Sequence, residues 1–521
     1  MSLSSPQITT IDFLIMLVYI LITLAIILIL RLKDGEGENQ FFLGNRNLPG
    51  WLNGISYAAA FVNLDRVVMY SGLAVITGLY VCWWYLARYT AGWMIAAFLF
   101  ASFWHKTNLA TPADFYRIRF SGSGAVFMRG WVAFRSAFIS AAAWGGAGLL
   151  AFTKIAGPIF GFTKLQALLI IVPVTLLLII VSGYRGIVVT SAFHSVIIIA
   201  GLLVLAVAVL WDFNGPLGLQ EALIDSWGKG VLRSLPPGKD ELLSVYLVVI
   251  WFFSGFLGYG GDAAPLESPY EGQRILSSKS PKEASKIFFW STLVSFGVIL
   301  LVTLPSLGAM ALWPDLRTPL MDHELAFGLM IKRYFPPGVL GLFVISLMSI
   351  SISSMAGHLN AGAQMAVFDL YRPHIKPEAS EEHYLSMGRI LGVVILLLAI
   401  PIAMGTNYLV DIVAFLIGIN LVSKPADWAQ WWWWRFNIYA RLVASVGGPF
   451  IYLAARYLII PAEPYWEQLL VSTLVCSSGW VTIAFFTRPP EREKLTKFYK
   501  TVSPPGLWGP IRNMIAHQGK G

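Results

Sequence analysis

The chain has 521 residues, of which 57% are hydrophobic and 12% are charged, and its mean hydropathy is +0.68. Soluble domains carry about twice that share of charged residues, so the composition excludes a soluble globular protein and indicates an integral membrane protein. The formal net charge of +9 is better explained by basic loops beside membrane helices than by a nucleic-acid partner.

The first apolar run, residues 10–31, is too long for the core of a signal peptide. It also has no basic segment before it and no small-residue cleavage site after it, so it is predicted to be a retained membrane helix. Cys82 and Cys476, the only cysteines, both lie in apolar runs, which excludes a disulfide framework and a cysteine zinc site.

Because a helix needs about 20 apolar residues to cross a bilayer, the chain is predicted to contain about thirteen membrane segments. They are residues 10–31, 51–75, 79–103, 124–153, 164–182, 186–211, 241–262, 286–313, 337–368, 385–405, 407–434, 437–458 and 464–486. An odd number of segments places the two termini on opposite sides of the membrane.

Lysine and arginine are concentrated in the loops after the first, third and seventh segments and in the C-terminal tail. By the positive-inside rule the N-terminus is predicted to lie outside and the C-terminus in the cytoplasm. Two longer loops, 212–240 and 314–336, then fall on the outer side. The tail, 487–521, is predicted to be an interfacial cytoplasmic segment rather than a partner site.

The second segment carries Asn63, Asp65 and Arg66 near its middle. A charge at bilayer depth costs about 2.5–3.5 kcal/mol even on insertion scales, so these side chains are predicted to face protein or water. Three polar residues so close together also predict a local break in the helix, which is tolerated at that depth only beside a cavity or under protein.

Arg88 in the third segment and Arg135 in the fourth are also embedded in apolar runs. An unpaired buried cation is costly, and an anionic solute would satisfy the three arginines. The alternative is that they bond helix-end carbonyls or acids from elsewhere. Candidate acids are Asp262, Glu267 and Asp411.

Glycines and prolines interrupt the end of the seventh segment beside Asp262 and Glu267. Paired breaks of this kind indicate the midplane binding site of a transporter, although this one could also be the polar end of the helix. In the eleventh segment, Trp431 to Trp434 are predicted to form an interfacial aromatic belt. Lys424, Asp427 and Gln430 beside them are harder to explain in that way.

The ninth segment contains Ser349, Ser351, Ser353 and Ser354 within the apolar stretch LMSISISSMAGHLNAG. Buried hydroxyls need partners, which ordinary helix packing or a ligand would supply. Hydrolase, metalloprotease and nucleotide-binding motifs are missing, and the seven histidines have no metal-ligand spacing. An enzyme and an organic cofactor are therefore not expected.

The chain resembles the sodium:solute symporter family through five motifs in order. They are FFLGNRNLPGWLNGISYAAA, TPADFYRIRFSG, SGYRGIVVTSAFH, GQRILSSKSPKEA and SISSMAGHLNAGAQMAVFDLYRP. The resemblance implies an all-α membrane protein of the leucine-transporter type, with two five-helix repeats of opposite orientation. It divides the chain into a first helix and loop (1–50), the two repeats (51–211 and 241–434), two peripheral helices (437–486) and the tail (487–521).

The resemblance also implies a sodium site between the broken helix and the ninth segment. Its ligands would be the backbone carbonyls of Ala59, Val62 and Ile350 and the hydroxyls of Ser353 and Ser354. Sodium, as a hard cation, prefers oxygen ligands, and the three- and four-residue spacing from Ile350 lets both hydroxyls converge.

Some members have a second sodium site, and this chain departs from it. Ser191 stands where an aspartate is expected, and Ala356 and Gly357 replace two serines. One coupled sodium ion is therefore predicted.

Positions that bind sugar in the family are Arg66, Tyr85 and Arg88 here, with Ser268 near a fourth. Two arginines in place of neutral and acidic groups favour a carboxylate or a similar anion over a hexose. The candidate solute-binding residues are Asn63, Asp65, Arg66, Tyr85, Arg88, Arg135, Asp262, Ser268 and Gln430.

The sequence thus predicts a plasma-membrane symporter that couples sodium to a small organic solute by alternating access. Its short tails favour a bacterial inner membrane. The expected partners are the solute, sodium and the bilayer, without nucleic acid or a required protein. The alternatives are a carrier of a neutral sugar or polyol, a non-transporting membrane sensor on the same fold, a membrane enzyme and a channel.

Overall fold

The computed structural model describes residues 8–34, 37–59, 62–181, 184–238, 243–258, 269–318 and 321–518. The helices that build the bundle are α1 (Thr10–Asp34), α2 (Gly50–Ala58), α3 (Leu64–Thr77), α4 (Leu79–Lys106), α5 (Ser123–Phe160), α6 (Lys164–Val181), α7 (Tyr184–Asp212), α8 (Val245–Gly258), α9 (Pro269–Leu276), α10 (Pro281–Leu312), α11 (Ala326–Tyr334), α12 (Val339–His374), α13 (Glu381–Gly405), α14 (Leu409–Leu421), α15 (Lys424–Trp432), α16 (Ile438–Ile459) and α17 (Tyr465–Phe486). Shorter helices include Glu38–Leu43, Phe115–Arg119, Pro216–Trp227, Arg492–Val502 and Gly509–Gln518.

Within the described residues, ten helices are long and apolar enough to cross a membrane, counting α14 and α15 together. Lys164–Leu177 and Val245–Ser254 are shorter apolar helices, and the predicted segment 51–75 is the interrupted pair α2 and α3. Within the described residues each of the thirteen predicted segments therefore corresponds to helix. Two of them, 164–182 and 241–262, are shorter apolar helices, and two, 51–75 and 407–434, are interrupted pairs.

The helices differ in how much of their surface meets other helices. In the most apolar window of α1, 17% of the residues are buried, against 78% in that of α12. A helix that is apolar all round but exposed within the bundle faces lipid, so α1 is peripheral and α12 central. The Asp12 carboxylate attaches α1 to α12 by accepting hydrogen bonds from the backbone N–H of Gly338 and Gly341, each at 2.7 Å.

The second predicted segment is broken, as expected from its polar residues. Helix α2 ends at Ala58 and α3 begins at Leu64. The side chain of Asn63 caps α3, because its Oδ1 accepts a hydrogen bond from the Leu64 N–H at 2.9 Å. The break therefore precedes Arg66 and leaves that residue in the first turn of α3.

The second predicted break falls between α8 and α9. Residues 259–268 lie outside the described part of the chain, and with them the predicted site residues Asp262 and Ser268.

Close packing of α2 on α10 depends on two glycines. A Cβ atom at Gly50 would lie 2.2 Å from the Glu283 carbonyl oxygen, and one at Gly54 would lie 2.9 Å from that of Ile287. Larger residues would push the two helices apart. The other half of the broken helix, α3, packs against α5, α10 and α12, which places the break in the centre of the bundle.

Candidate functional site

The predicted ion ligands are buried around the break. The exposed fractions are 3% for Ala59, 0% for Val62 and Ile350, 6% for Ser353 and 3% for Ser354. Helix α12, which carries the last three, packs against α3. The Ser354 Oγ has no hydrogen-bond partner among the residues that the structure describes, so this hydroxyl is available to a ligand.

The second sodium site that the family pattern would require has different surroundings. Ser191 is buried in α7. A Cβ atom at Gly357 would approach the Tyr270 ring to 2.7 Å. The glycine therefore makes room for an aromatic side chain at a position where a second site would need a serine.

Two buried arginines meet at one tyrosine. Arg66 Nη1 donates a hydrogen bond to the Tyr89 hydroxyl at 3.1 Å, and Arg88 Nη2 donates to the same oxygen at 3.3 Å. Arg66 is 8% exposed and Arg88 is 3% exposed. The Tyr89 hydroxyl thus brings two guanidinium groups from different helices, α3 and α4, to one point beside the break.

Aromatic rings surround these guanidinium groups. The Arg66 Cζ lies 5.2 Å from the Trp144 ring centroid, and the Arg88 Cζ lies 5.5 Å and 5.4 Å from those of Trp84 and Trp251. Such contacts stabilise a buried cation without neutralising it. They hold both side chains in defined orientations, and the Asp65 carboxyl group lies within electrostatic range of Arg66.

Three other predicted solute residues lie beside this pair. Tyr85 donates a hydrogen bond from its hydroxyl to the Arg66 carbonyl oxygen at 3.3 Å, and Asn63 caps α3. Asp65 is 4% exposed, and its Oδ1 has no hydrogen-bond partner within the described ranges. The structure therefore brings Asn63, Asp65, Arg66, Tyr85 and Arg88 together.

Arg135 and Gln430 belong to another cluster. Arg135 is buried within electrostatic range of Arg441, Tyr116 and Asp427. Arg441 bonds the Asp427 carboxylate and donates to the Tyr116 hydroxyl at 2.9 Å. The backbone carbonyl oxygen of Gln430 accepts a hydrogen bond from Arg119 Nε at 3.0 Å. Arg119 and Arg441 thus tie α15 and α16 to Phe115–Arg119, and Arg135 of α5 lies beside this cluster rather than among the contacts of Arg66 and Arg88.

Sequence reasoning missed Tyr89 and four aromatic side chains that other helices contribute in and beside the site. Tyr89 follows Tyr85 by four residues, so the helical spacing could have placed both on one face of α4. Trp144, Trp251, Tyr270 and His358 come from α5, α8, α9 and α12, and no local pattern relates them.

The predicted four-tryptophan belt is instead partly internal. Trp431 is 1% exposed and packs against Phe115 with ring centroids 4.9 Å apart, while Trp432 is 6% exposed. The Trp508 indole donates to the Trp431 carbonyl oxygen at 2.8 Å. At these two positions the tryptophans anchor the C-terminal tail to the bundle rather than face lipid.

Comparison with known proteins shows what this arrangement is similar to. The family model described as "Sodium:solute symporter family" matches residues 41–440. The Vibrio parahaemolyticus sodium/glucose cotransporter is 23% identical over 75% of this chain and 74% of its own length. The Haemophilus influenzae sodium/proline symporter is 22% identical over 89% and 92%. The sodium/pantothenate symporter of the same species is 23% identical over 68% and 71%.

Solved structures give the same fold. A Na+-coupled sialic acid symporter in a substrate-bound, outward-open state matches with a TM-score of 0.75 and 16% identity, over 93% of this chain and 99% of that one. A nucleobase-cation-symport-1 family transporter matches with a TM-score of 0.54 and 13% identity, over 88% and 98%. They confirm the predicted leucine-transporter architecture. The protein, a membrane transporter that uses sodium as a coupling ion and is not an enzyme, belongs to the sodium:solute symporter family.

Proposed function

We propose that this symporter couples the inward movement of one sodium ion to the uptake of a small organic anion or zwitterion, with a carboxylate as the recognised group. The observation that carries the proposal is the convergence of Arg66 and Arg88 on the Tyr89 hydroxyl beside the helix break. Guanidinium groups bind carboxylates through paired, charge-assisted hydrogen bonds.

Family membership alone does not choose the solute, because relatives named for glucose, proline and pantothenate differ in charge and size. The choice depends on this chain's own residues. Two guanidinium groups that are less than a tenth exposed favour a ligand whose negative charge remains in a site with little water.

The proposed sodium ligands are the backbone carbonyls of Ala59, Val62 and Ile350 and the hydroxyls of Ser353 and Ser354. The Ala59 carbonyl oxygen accepts one hydrogen bond, from the Val62 N–H at 3.1 Å, and keeps a second lone pair for an ion. The Ser354 Oγ lacks a partner in the described part of the protein. Neutral oxygens bind a monovalent ion weakly, which suits a site that must release it.

Sodium bound at the junction of α3 and α12 would stabilise the geometry of the adjacent solute site, and the solute would raise sodium affinity by the same factor. One charge that moves down the membrane potential contributes about 2.3 kcal/mol per 100 mV. If the solute carries one negative charge, one-to-one transport moves no net charge. Stoichiometry and solute charge are therefore tested together.

Reconstitution in liposomes tests the proposal directly. Uptake of carboxylates, amino acids, sugars and polyols is measured with and without a sodium gradient, and then with an imposed membrane potential. We expect sodium-dependent uptake of a carboxylate that is insensitive to the potential for a monoanion. A neutral sugar as the best substrate contradicts the anion assignment, and the absence of sodium dependence for every solute contradicts symport.

Serine variants test the ion site. Ser353→Ala and Ser354→Ala are expected to raise the sodium concentration for half-maximal uptake about tenfold, as expected for the loss of a hydrogen-bond-strength interaction with a charge. Ser346→Ala is the matched control, because Ser346 is buried in the same helix and its hydroxyl donates to the Leu342 carbonyl oxygen at 2.6 Å. Equal effects in all three variants would contradict the assignment.

Arginine variants test solute recognition. Arg66→Gln and Arg88→Gln are expected to abolish uptake of the carboxylate, and the lysine variants are expected to recover little of it because an ammonium lacks the planar fork. A matched comparison is Arg333→Gln, which removes an exposed arginine that pairs with Asp212.

A further inference from the structure

A stack of side chains links the helix of the proposed ion site to an arginine of the proposed solute site. Ile350, Ser354 and His358 are spaced by four residues in α12, so they share one helix face. Ile350 and Ser354 are proposed sodium ligands, and His358 is the next residue along that face. It is 6% exposed.

The His358 imidazole stacks on two rings from other helices. Its centroid lies 5.7 Å from that of Trp144 in α5, with 18° between the planes, and 4.2 Å from that of Tyr270 in α9, with 21° between them. The Trp144 ring in turn lies 5.2 Å from the Arg66 Cζ. One imidazole and one indole thus connect the ion helix to the Arg66 guanidinium.

Tyr270, on one side of the imidazole, is itself fixed by contacts with Arg274 and by close packing at Gly357. The Tyr270 hydroxyl accepts a hydrogen bond from Arg274, whose guanidinium also lies 4.1 Å from the Tyr270 ring centroid. Gly357 permits this contact, since a Cβ atom there would meet Tyr270 at 2.7 Å. His358 is therefore closely packed, and a displacement of α12 at Ser354 would change how its ring stacks on Trp144.

We infer that His358 is a positioning residue that transmits sodium occupancy from α12 through Trp144 to Arg66. The inference rests on the proposed function. Sodium would draw α12 and the break together and fix the stack under Arg66, so the guanidinium would be oriented for the solute before the solute arrives. Arg66 and the ion would then influence each other without touching.

A double-mutant cycle on sodium affinity tests the inference without the solute. Radiolabelled sodium binding to the purified full chain is measured for wild type, Arg66→Gln, His358→Ala and the double variant. Changes at sites that do not touch are normally additive, whereas removal of a shared aromatic contact should make the cycle depart from additivity by about two- to tenfold in affinity. The effect of Arg66→Gln should therefore largely vanish when His358 is alanine.

Two further variants separate a positioning role from simple packing. His358→Phe keeps a ring in the stack and should restore most of the lost coupling. Leu359→Ala removes a neighbouring buried side chain of the same helix and should combine additively with Arg66→Gln. An additive cycle for His358→Ala, or failure of His358→Phe to restore coupling, overturns the inference.

The result also distinguishes this inference from the proposed function. If wild type binds sodium, Ser354→Ala weakens binding and the His358 cycle is additive, the ion site stands and the stacking role is wrong. If wild type binds no sodium at millimolar concentrations, the proposed ion site and the inference that rests on it are both wrong.

Discussion

Two clusters hold the first broken helix to its neighbours at its opposite ends, and they use different chemistry. The Arg274 cluster joins α9 to Asn53 and Ser56 of α2 and to Tyr184 of α7. The Glu324 cluster packs on Gly72 of α3, where an added Cβ would lie 2.9 Å from the Glu324 Cγ. Asn53 lies in α2 and Gly72 in α3, so the two clusters stand on opposite sides of the break.

The Arg274 cluster is built around one cation with mostly neutral acceptors. The Arg274 side chain is 1% exposed, and it donates to the Tyr184 hydroxyl, the Asn53 Oδ1 and the Ser56 carbonyl oxygen, each at 3.4 Å. Asn53 Nδ2 donates back to the Arg274 carbonyl oxygen at 2.8 Å. Because Arg274 is buried, loss of its hydrogen bonds leaves several polar groups unpaired inside the protein, and each of them carries a desolvation penalty.

The Glu324 cluster is ionic and reaches the protein surface. Glu324 Oε1 accepts from the Leu409 N–H at 2.7 Å, at the start of α14, and Lys154 lies 3.3 Å from Oε2. Lys154 also pairs with Asp322, whose side chain is 29% exposed. One end of the broken helix therefore depends on buried hydrogen-bond geometry, and the other depends on charges that protons and salt can change.

The largest expected effect comes from removing the buried cation. Arg274→Leu leaves polar groups on three helices without their donor, and each hydrogen bond to a charged group contributes about 1.5–3 kcal/mol. We expect a marked loss of folded protein and a lower Tm in detergent. Arg274→Lys should recover little, because one ammonium cannot bond groups on all three helices. A Tm equal to that of wild type would contradict the central role of this residue.

Removal of Lys154, the cation of the Glu324 cluster, should lower the Tm less than removal of Arg274. Lys154→Met leaves Glu324 buried without its ion partner, but the carboxyl group can take up a proton instead of remaining charged. We therefore expect a fall in Tm that is smaller at pH 6 than at pH 8. Thermal unfolding at the two pH values measures this difference. The control is Lys164→Met, because Lys164 is a half-buried lysine at the start of α6 that bonds the Thr406 carbonyl oxygen instead of an acid.

Proton binding should shift the Glu324 cluster between a closed form, in which Glu324 is buried as described, and an open form, in which its carboxyl group meets water. Burial raises the pKa of Glu324 from 4.5 to about 7, against the opposing effect of Lys154. The closed form therefore binds the proton more tightly, and its proton-linked stabilisation is complete below pH 4.5 and lost as the pH rises to about 7. Burial also lowers the pKa of His323 below 6.5, so protonation of His323 favours opening and opposes Glu324 below that pH.

Hydrogen exchange of residues 321–334 and 405–414 measures this equilibrium at each pH. Relative to Glu324→Gln at the same pH, wild type should lose protection between pH 6.5 and 7.5, where Glu324 is the group that titrates. His323→Gln should extend the protected range to lower pH. Identical pH profiles for wild type and Glu324→Gln would show that Glu324 does not control this end of the bundle.

The smallest effect is expected at the surface beyond the Glu324 cluster. Arg333 and Asp212 form an ion pair at 3.1 Å, but their side chains are 44% and 41% exposed. Exposed pairs contribute about 0–1 kcal/mol and are screened by salt, so Arg333→Ala should change the Tm little and not at all at high salt. A fall in Tm as large as that of Lys154→Met would contradict the expectation that the effect of losing an ion pair grows with its burial.

Local spacing in the sequence was informative at the helix break and for one group of side chains beside it. Asn63 and Asp65 indicated the break because polar residues within an apolar run can be recognised from the local sequence. Arg66, Tyr85 and Arg88 lie together as expected. Arg135 looked equivalent to the other embedded arginines, yet it lies near Asp427 and Arg441. The apolar residues on either side of Arg135 indicate that it lies within the membrane, but they do not indicate which helix its side chain faces.

The sequence by itself determined the membrane class, the positions of the helices and the family, because the length of an apolar run and the order of short motifs are properties of the chain alone. Only the tertiary structure decided which side chains meet. Tyr89 joins two arginines from different helices, His358 lies between Trp144 and Tyr270, and Gly357 makes room for Tyr270. These contacts depend on how the helices pack, and packing is set by the shapes of surfaces that are distant in sequence.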